Sequence, residues 1–294
     1  MMVRRTVVLG GGGPVGFAWE IGLISALAQR GVRLADADLI VGTSAGAVVG
    51  AYLGLGEDLQ AHLPAAAAPL PLPGAATTVD LAAMQATMQR ATAGVSGPVE
   101  ALRAIGRAAL AAETMPEEAF LASPYFTPLA GRSWPGSLRC TGIDALTGGF
   151  RAFGAADGVD LQQAVAASCA VPTVIRPITV GGARYYDGGM RTPLNAHVAE
   201  GAATVLAISC YALESPDRPA DPFLDAVDRQ QNEDLAALRR SGAEVKVVQP
   251  DLAYLQLSGW GLHALDGKLA PEAYELGHRL GAAQAAQIAD HWNR

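Results

Sequence analysis

The sequence predicts an α/β fold: a mostly parallel central sheet covered by helices on both faces. Two observations carry this. Short apolar runs of strand length alternate with helical patterns over the first 55 residues, each strand-to-helix junction being marked by small residues. The same alternation resumes near residue 138. Between the two lies a less regular, helix-rich stretch from about 60 to 135, which reads as an insert. No internal repeat and no break in composition divides the 294 residues, so the expectation is one domain over 1–294.

Taken in order, Thr6 to Leu9 ("TVVL") reads as a buried strand stopped by Gly10 to Gly13, and a helix follows from about Val15 to Arg30 with Gly31 as its stop. Leu39 to Val41 is a second strand, and "SAGAVVGAYLGLG" has the small-residue composition of a closely packed helix. Pro64 to Ala76 is a Pro/Ala-rich loop. Helices are predicted over Asp80 to Thr92 and Pro98 to Glu113, and a third near "TMPEEAF", where Thr114 caps and Glu117 completes a capping box. Leu138 to Asp144 and Gly149 to Phe153 read as a hairpin around Gly148-Gly149, followed by a helix from Asp160 to Ser168. "ARYY" before Asp187, Thr204 to Cys210 and Val245 to Pro250 read as further strands, with closing helices from about Asp221 and Pro271.

Composition narrows the function. Half the residues are hydrophobic while aromatics are only 6%, so alanine supplies much of the apolarity and a packed core is affordable. A net charge of −7, with no basic run longer than Arg4-Arg5 or Arg239-Arg240, excludes the electrostatic footprint of a nucleic-acid binder. Cys140, Cys169 and Cys210 are odd in number and widely spaced, which fits free thiols in a reducing cytosol better than disulfides or a zinc site. The N-terminus has no apolar region of signal-peptide length, and no apolar run approaches the roughly 20 residues of a membrane-spanning helix. The expectation is a soluble, cytoplasmic protein.

Ser44 stands in "GTSAG" (Gly42 to Gly46), a G-x-S-x-G pattern between the second strand and its helix. A serine at such a turn has its hydroxyl exposed, and Gly42 and Gly46 allow the strand and helix to approach closely. The helix also aims its free N–H groups toward the serine. Gly/Ser/Ala turns without a function share this composition; placement directly after "LIV" favours the nucleophile. A nucleophile needs oxyanion donors, and "GGGGPVG" (Gly10 to Gly16) offers a side-chain-free loop over Gly11, Gly12 and Gly13. Pro14 has no N–H, so Gly12 and Gly13 are the expected donors. The same glycines fit a rival, the dinucleotide pattern Gly11-x-Gly13-x-x-Gly16 with Asp36 or Asp38 about 20 residues on. A base is also required. Asp187 in "YYDGG" precedes Gly188 and Gly189, although Asp-Gly is common in hairpin turns.

These three motifs, in this order, resemble those of bacterial patatin-like phospholipases, and "ASCAVP" and "TGIDALTGGFRAF" add to a likeness over most of residues 5 to 200. The resemblance implies a three-layer α/β/α fold and a serine hydrolase of fatty-acid esters. Ser44 would be the nucleophile and Asp187 the base of a dyad without histidine, and the glycine loop would form the oxyanion hole. It implies a lipid or acyl-ester substrate, transient contact with a membrane surface, and no cofactor or metal. The 60–135 insert is then the candidate lid or acyl-chain pocket. Two departures stand out: Val15 occupies the place where the family usually carries Lys or Arg, and "GFAWEIG" after the loop is one residue longer than the commonest spacing. Trp19 and Glu20 in that segment read as a packing and a surface residue. A Ser-His-Asp esterase using His263 or His278, and a binding protein with an inactive dyad, are the alternatives.

Overall fold

The computed structural model describes residues 5–68, 79, 81–213 and 222–293. It begins with β1 (Arg5–Leu9), α1 (Gly13–Ala28), β2 (Leu39–Gly42) and α2 (Ala45–Leu55). Helices α3 (Leu81–Thr92), α4 (Pro98–Ala111) and α5 (Glu117–Leu121) follow. The hairpin β3 (Leu138–Asp144) and β4 (Phe150–Phe153) leads to α6 (Leu161–Ser168), β5 (Ile178–Val180) and β6 (Ala183–Asp187). The chain then runs through β7 (Thr204–Ile208), α7 (Pro222–Arg240), β8 (Glu244–Val248), α8 (Leu252–Leu257) and α9 (Ala270–Trp292).

One sheet of eight strands results, hydrogen-bonded in the order β5-β6-β3-β2-β1-β7-β8, with β4 also on β3. The pairings β3-β2, β2-β1, β1-β7 and β7-β8 are parallel. Alternation along each strand sorts the side chains into layers. Val7, Leu9, Ile40 and Leu206 face the main core with α1, α2, α6 and α9, whereas Val8, Val41, Val205 and Ala207 face a second core against Leu235 and Leu238 of α7. Ile143 and Tyr186 pack on that opposite face with Met88, Leu102 and Ile105 of α3 and α4. The architecture is helices on both faces of a mostly parallel sheet.

Several local expectations change. Helix α1 starts at Gly13, two residues before Val15, because Pro14 is pre-organised for a first helical turn. Glu117 does not complete a capping box with Thr114. Its carboxylate accepts from the Thr179 amide at 2.8 Å and from Arg184 at 2.8 Å, so it ties α5 to the β5–β6 hairpin. Glu20 is not a surface residue; it is fully buried on α1. Strand β5 and helix α8 were not foreseen, the first because "ITV" is too short to show alternation. Asp80, Asp221 and most of the Pro/Ala loop, residues 69–76, lie outside the described residues.

One register positions the site. Cys140 pairs with both Gly42 of β2 and Phe153 of β4, and Gly142 pairs with both Asp187 of β6 and Arg151 of β4. A strand residue has only two edges, so β2 and β6 must share the edge of β3 that β4 does not occupy. They run toward each other along it, and their ends face across a single β3 residue, Thr141. Both chains must leave the sheet there. One exit leads to Ser44, and the other strand ends on Asp187.

Candidate active site

The β2 exit is a tight turn. Ser44 has φ 53° and ψ −120°, a conformation costing a non-glycine residue about 1–3 kcal/mol. Neighbouring bonds hold it. The Thr43 amide donates to Leu9 O at 3.1 Å, the Gly46 amide to Gly10 O at 3.1 Å, and the Ser44 amide to Ser168 Oγ at 2.9 Å. A Cβ at position 46 would stand 2.3 Å from Leu9 O, so only glycine lets α2 cross β1 this closely. Gly42 ends β2 against Ala47, and Gly16 packs on Cys210. Ser44 occupies the residue before the first turn of α2, at the positive end of that helix.

The glycine loop lies against this turn. The Gly11 amide donates to Pro193 O at 2.9 Å, which removes it from the set of oxyanion donors. Gly12 and Gly13 open α1, where helical geometry gives their N–H groups no intrahelical acceptor. Val15 is fully buried, and its amide bonds to Ala264 O at 3.2 Å.

At the other exit Asp187 is 3% exposed. Burial lifts its carboxyl from the ordinary value to about 7, against the opposing effects of the Gly189 amide, donating at 2.7 Å, and of the Ser44 hydroxyl nearby. Gly188 has no room for a side chain: a Cβ there would lie 2.3 Å from Thr141 Oγ1. Ser44, Asp187, Gly11, Gly12, Gly13 and Gly189 all line one cavity of about 260 Å³.

Sequence reading missed the residue joining the two exits. Asn195 is fully buried with a left-handed backbone (φ 49°). Its side-chain amide donates to Thr43 Oγ1 at 3.1 Å, beside Ser44, and to Gly188 O at 3.0 Å, beside Asp187. Thr43 and Thr141 hydroxyls meet at 2.9 Å between them. Only its closeness to "DGG" could have drawn attention to it. Ser168 at the end of α6 gave no signal either, nor did Trp260, Leu262 and Leu265, which line the cavity from the C-terminal third.

The rival readings find no such convergence. His263 is exposed, and His278 on α9 contacts Gln29 Oε1 at 3.1 Å; neither lines the cavity. Asp38 exchanges contacts with Arg5, its carboxylate accepting the Arg5 amide at 2.9 Å, and Asp36 lies beside it. That places both acids at the start of β1, whereas the glycine loop follows its end, roughly 17 Å along the strand. A dinucleotide needs both at one end. Among the described residues no group of His, Cys, Asp and Glu is placed to hold a metal, and no helix is long and apolar enough to cross a membrane.

No curated protein matches the chain in sequence. Solved structures similar to it include VipD from Legionella pneumophila, at 13% identity and TM-score 0.48, covering 99% of this chain and 67% of that one. The type III effector protein ExoU is also similar, at 16% identity and TM-score 0.42, covering 97% of this chain and 53% of that one. The sequence profile of the family described as patatin-like phospholipase matches residues 7–200, a stretch holding the glycine loop, the serine turn and the Asp-Gly-Gly turn. The chain belongs to the patatin-like phospholipase family.

Proposed function

We propose that this protein is a serine acyl hydrolase that cleaves carboxylic esters of lipids through a Ser44–Asp187 dyad. The observation carrying this reading is that a serine with a strained backbone at the start of α2 and a buried aspartate line one cavity together with Gly12 and Gly13. Asp187 takes the hydroxyl proton as Ser44 Oγ bonds to the acyl carbonyl carbon, and the amides of Gly12 and Gly13 receive the developing oxyanion. The tetrahedral species then collapses: the bond to the alcohol oxygen breaks and Asp187 returns the proton to it. Water repeats the sequence on the acyl-enzyme, releasing the acid. An ordinary carboxylate is a weak base for an alcohol; a carboxyl lifted to about 7 narrows that gap by roughly three orders of magnitude.

The segment from about 60 to 135 acts in this reading as cover and substrate pocket, since Met84, Gln85 and Met88 of α3 line the cavity. No Lys or Arg lines it among the described residues, and Val15 supplies no charge. Both features favour an uncharged ester over a phosphate-bearing one. The test is labelling by a fluorophosphonate together with ester hydrolysis. Wild type labels and turns over; Ser44→Ala loses both; Asp187→Asn loses turnover by at least about 10³-fold. Undiminished turnover in Ser44→Ala would end the proposal.

A further inference from the structure

Ser44 lines two pockets rather than one. Besides the 260 Å³ cavity, a second pocket of about 50 Å³ opens from the same serine between α1, α2 and the segment after α5, with Phe17, Val48, Phe120, Phe126 and Val174 in its wall. Gly13, Val171 and Leu265 line both and form the partition. The two differ in chemistry. The small pocket excludes Asp187, and its polar side-chain atoms are the Ser44 hydroxyl, the Cys169 thiol and the Tyr125 phenol, the latter buried without a hydrogen-bond partner. The large pocket contains Asp187 and adds Gln85, Gln89 and Thr92 from one face of α3.

An ester carbonyl attacked by Ser44 carries two substituents, and two pockets meet at that serine. Which goes where is settled by the proton. The departing alcohol oxygen must receive a hydrogen from Asp187, so it has to lie within hydrogen-bond reach of that carboxyl. That condition is met only on the large-pocket side. We infer that the alcohol portion occupies the 260 Å³ cavity and the acyl chain enters the 50 Å³ apolar pocket. This assignment rests on the dyad reading above and deepens it.

Size then sets a class of substrate. The small pocket has about one fifth of the volume of the large one and a mostly apolar wall, so it suits the smaller and more apolar of the two substituents. The preferred substrate is a short-chain acyl ester of a bulky alcohol, with the polar atoms of that alcohol facing Gln85, Gln89 and Thr92. A long acyl chain would have to displace the packed rings of Phe120 and Phe126, whose centroids are 4.7 Å apart.

The test is a matrix of hydrolysis rates on the full chain. With p-nitrophenol as the fixed alcohol, kcat/KM should peak between propanoate and pentanoate and fall at least tenfold by dodecanoate. With butanoate as the fixed acid, the naphthylmethyl ester, whose alcohol is nearly as weak an acid as methanol, should exceed the methyl ester. Val174→Ala widens the small pocket and should move the acyl optimum one or two carbons longer; Val48→Leu, an independent change of opposite sense, should move it shorter. Met88→Trp should depress the naphthylmethyl ester relative to the methyl ester and leave the order of rates along the acyl series of methyl esters in place. A dodecanoate rate equal to that of butanoate, or an acyl profile that shifts with Met88→Trp and not with the two valine variants, would overturn the assignment. Loss of all Ser44-dependent hydrolysis would instead remove the underlying dyad reading, and the partition with it.

Discussion

At the scale of single residues, the cost of the site is visible in its ionisation. Folding lifts the Asp187 carboxyl from 3.8 to about 7, so the native state binds that proton more tightly than the unfolded chain does. Stability is therefore lost as pH rises from about 4 through about 7, by up to about 4 kcal/mol for this one group. Asp187→Asn should raise the melting temperature at pH 8 and give no gain at pH 4, as calorimetry would show. Activity follows the opposite course. Only the ionised carboxyl accepts a proton, so kcat/KM of wild type should rise through an apparent pKa near 7; a limb near 4 would contradict the burial effect. Asn195 acts on the same pair from outside. Asn195→Ala removes the donor that ties Thr43 Oγ1 to Gly188 O, while the Gly188 carbonyl keeps the Arg191 amide and the two threonine hydroxyls keep each other, so the cost is about 0.5–1.5 kcal/mol for each hydrogen bond lost. As the residue positioning both exits, its loss should lower kcat on the order of 10–100-fold with KM little changed, in steady-state kinetics on folded protein. A fall in stability alone, with kcat intact, would reduce Asn195 to a structural part.

At the scale of elements, α1 carries the glycine loop and is held by α9 at unusually close range. A Cβ at Gly277 of α9 would stand 2.0 Å from Trp19 O, and one at Gly22 of α1 would stand 2.1 Å from Tyr274 O. The glycines make each helix a groove for the backbone of the other. Gly277→Ala should therefore lower stability by at least about 1–3 kcal/mol, while Gly136→Ala, which meets nothing within 4 Å, should be nearly silent in denaturant unfolding. Element existence was largely legible in the sequence. β1, β2 and β7 contain apolar runs bounded by turn residues, and Gly10 and Gly42 announce where β1 and β2 stop. What the sequence hid was the burial of Glu20. Its charge suggests solvent, yet α1 is enclosed nearly all round, and burial holds its carboxyl well above the usual range, with the Gly10 backbone and Cys210 as its nearest polar neighbours. A helix apolar on every side offers no periodicity from which to tell an inward acid from an outward one.

For the molecule as a whole, Ser44 and Asp187 could be singled out in the sequence because each stands in a short motif with a mechanical reason behind it. Their meeting could not, because it depends on two strands sharing one edge of β3, and nothing in the sequence reports register between segments that far apart. Asn195 was hidden for the same cause: its partners Thr43 and Gly188 belong to different motifs. The head-on approach of β2 and β6 has a kinetic consequence. Ser44 and Asp187, the proposed nucleophile and base, lie nearly half the chain apart, and neither strand pairs with the other, so no local hairpin brings them together. Catalytic competence should thus be among the last properties to return during refolding from denaturant, lagging the recovery of helical circular dichroism. A fluorophosphonate offered at successive delays would time the moment when the sheet closes around Thr141.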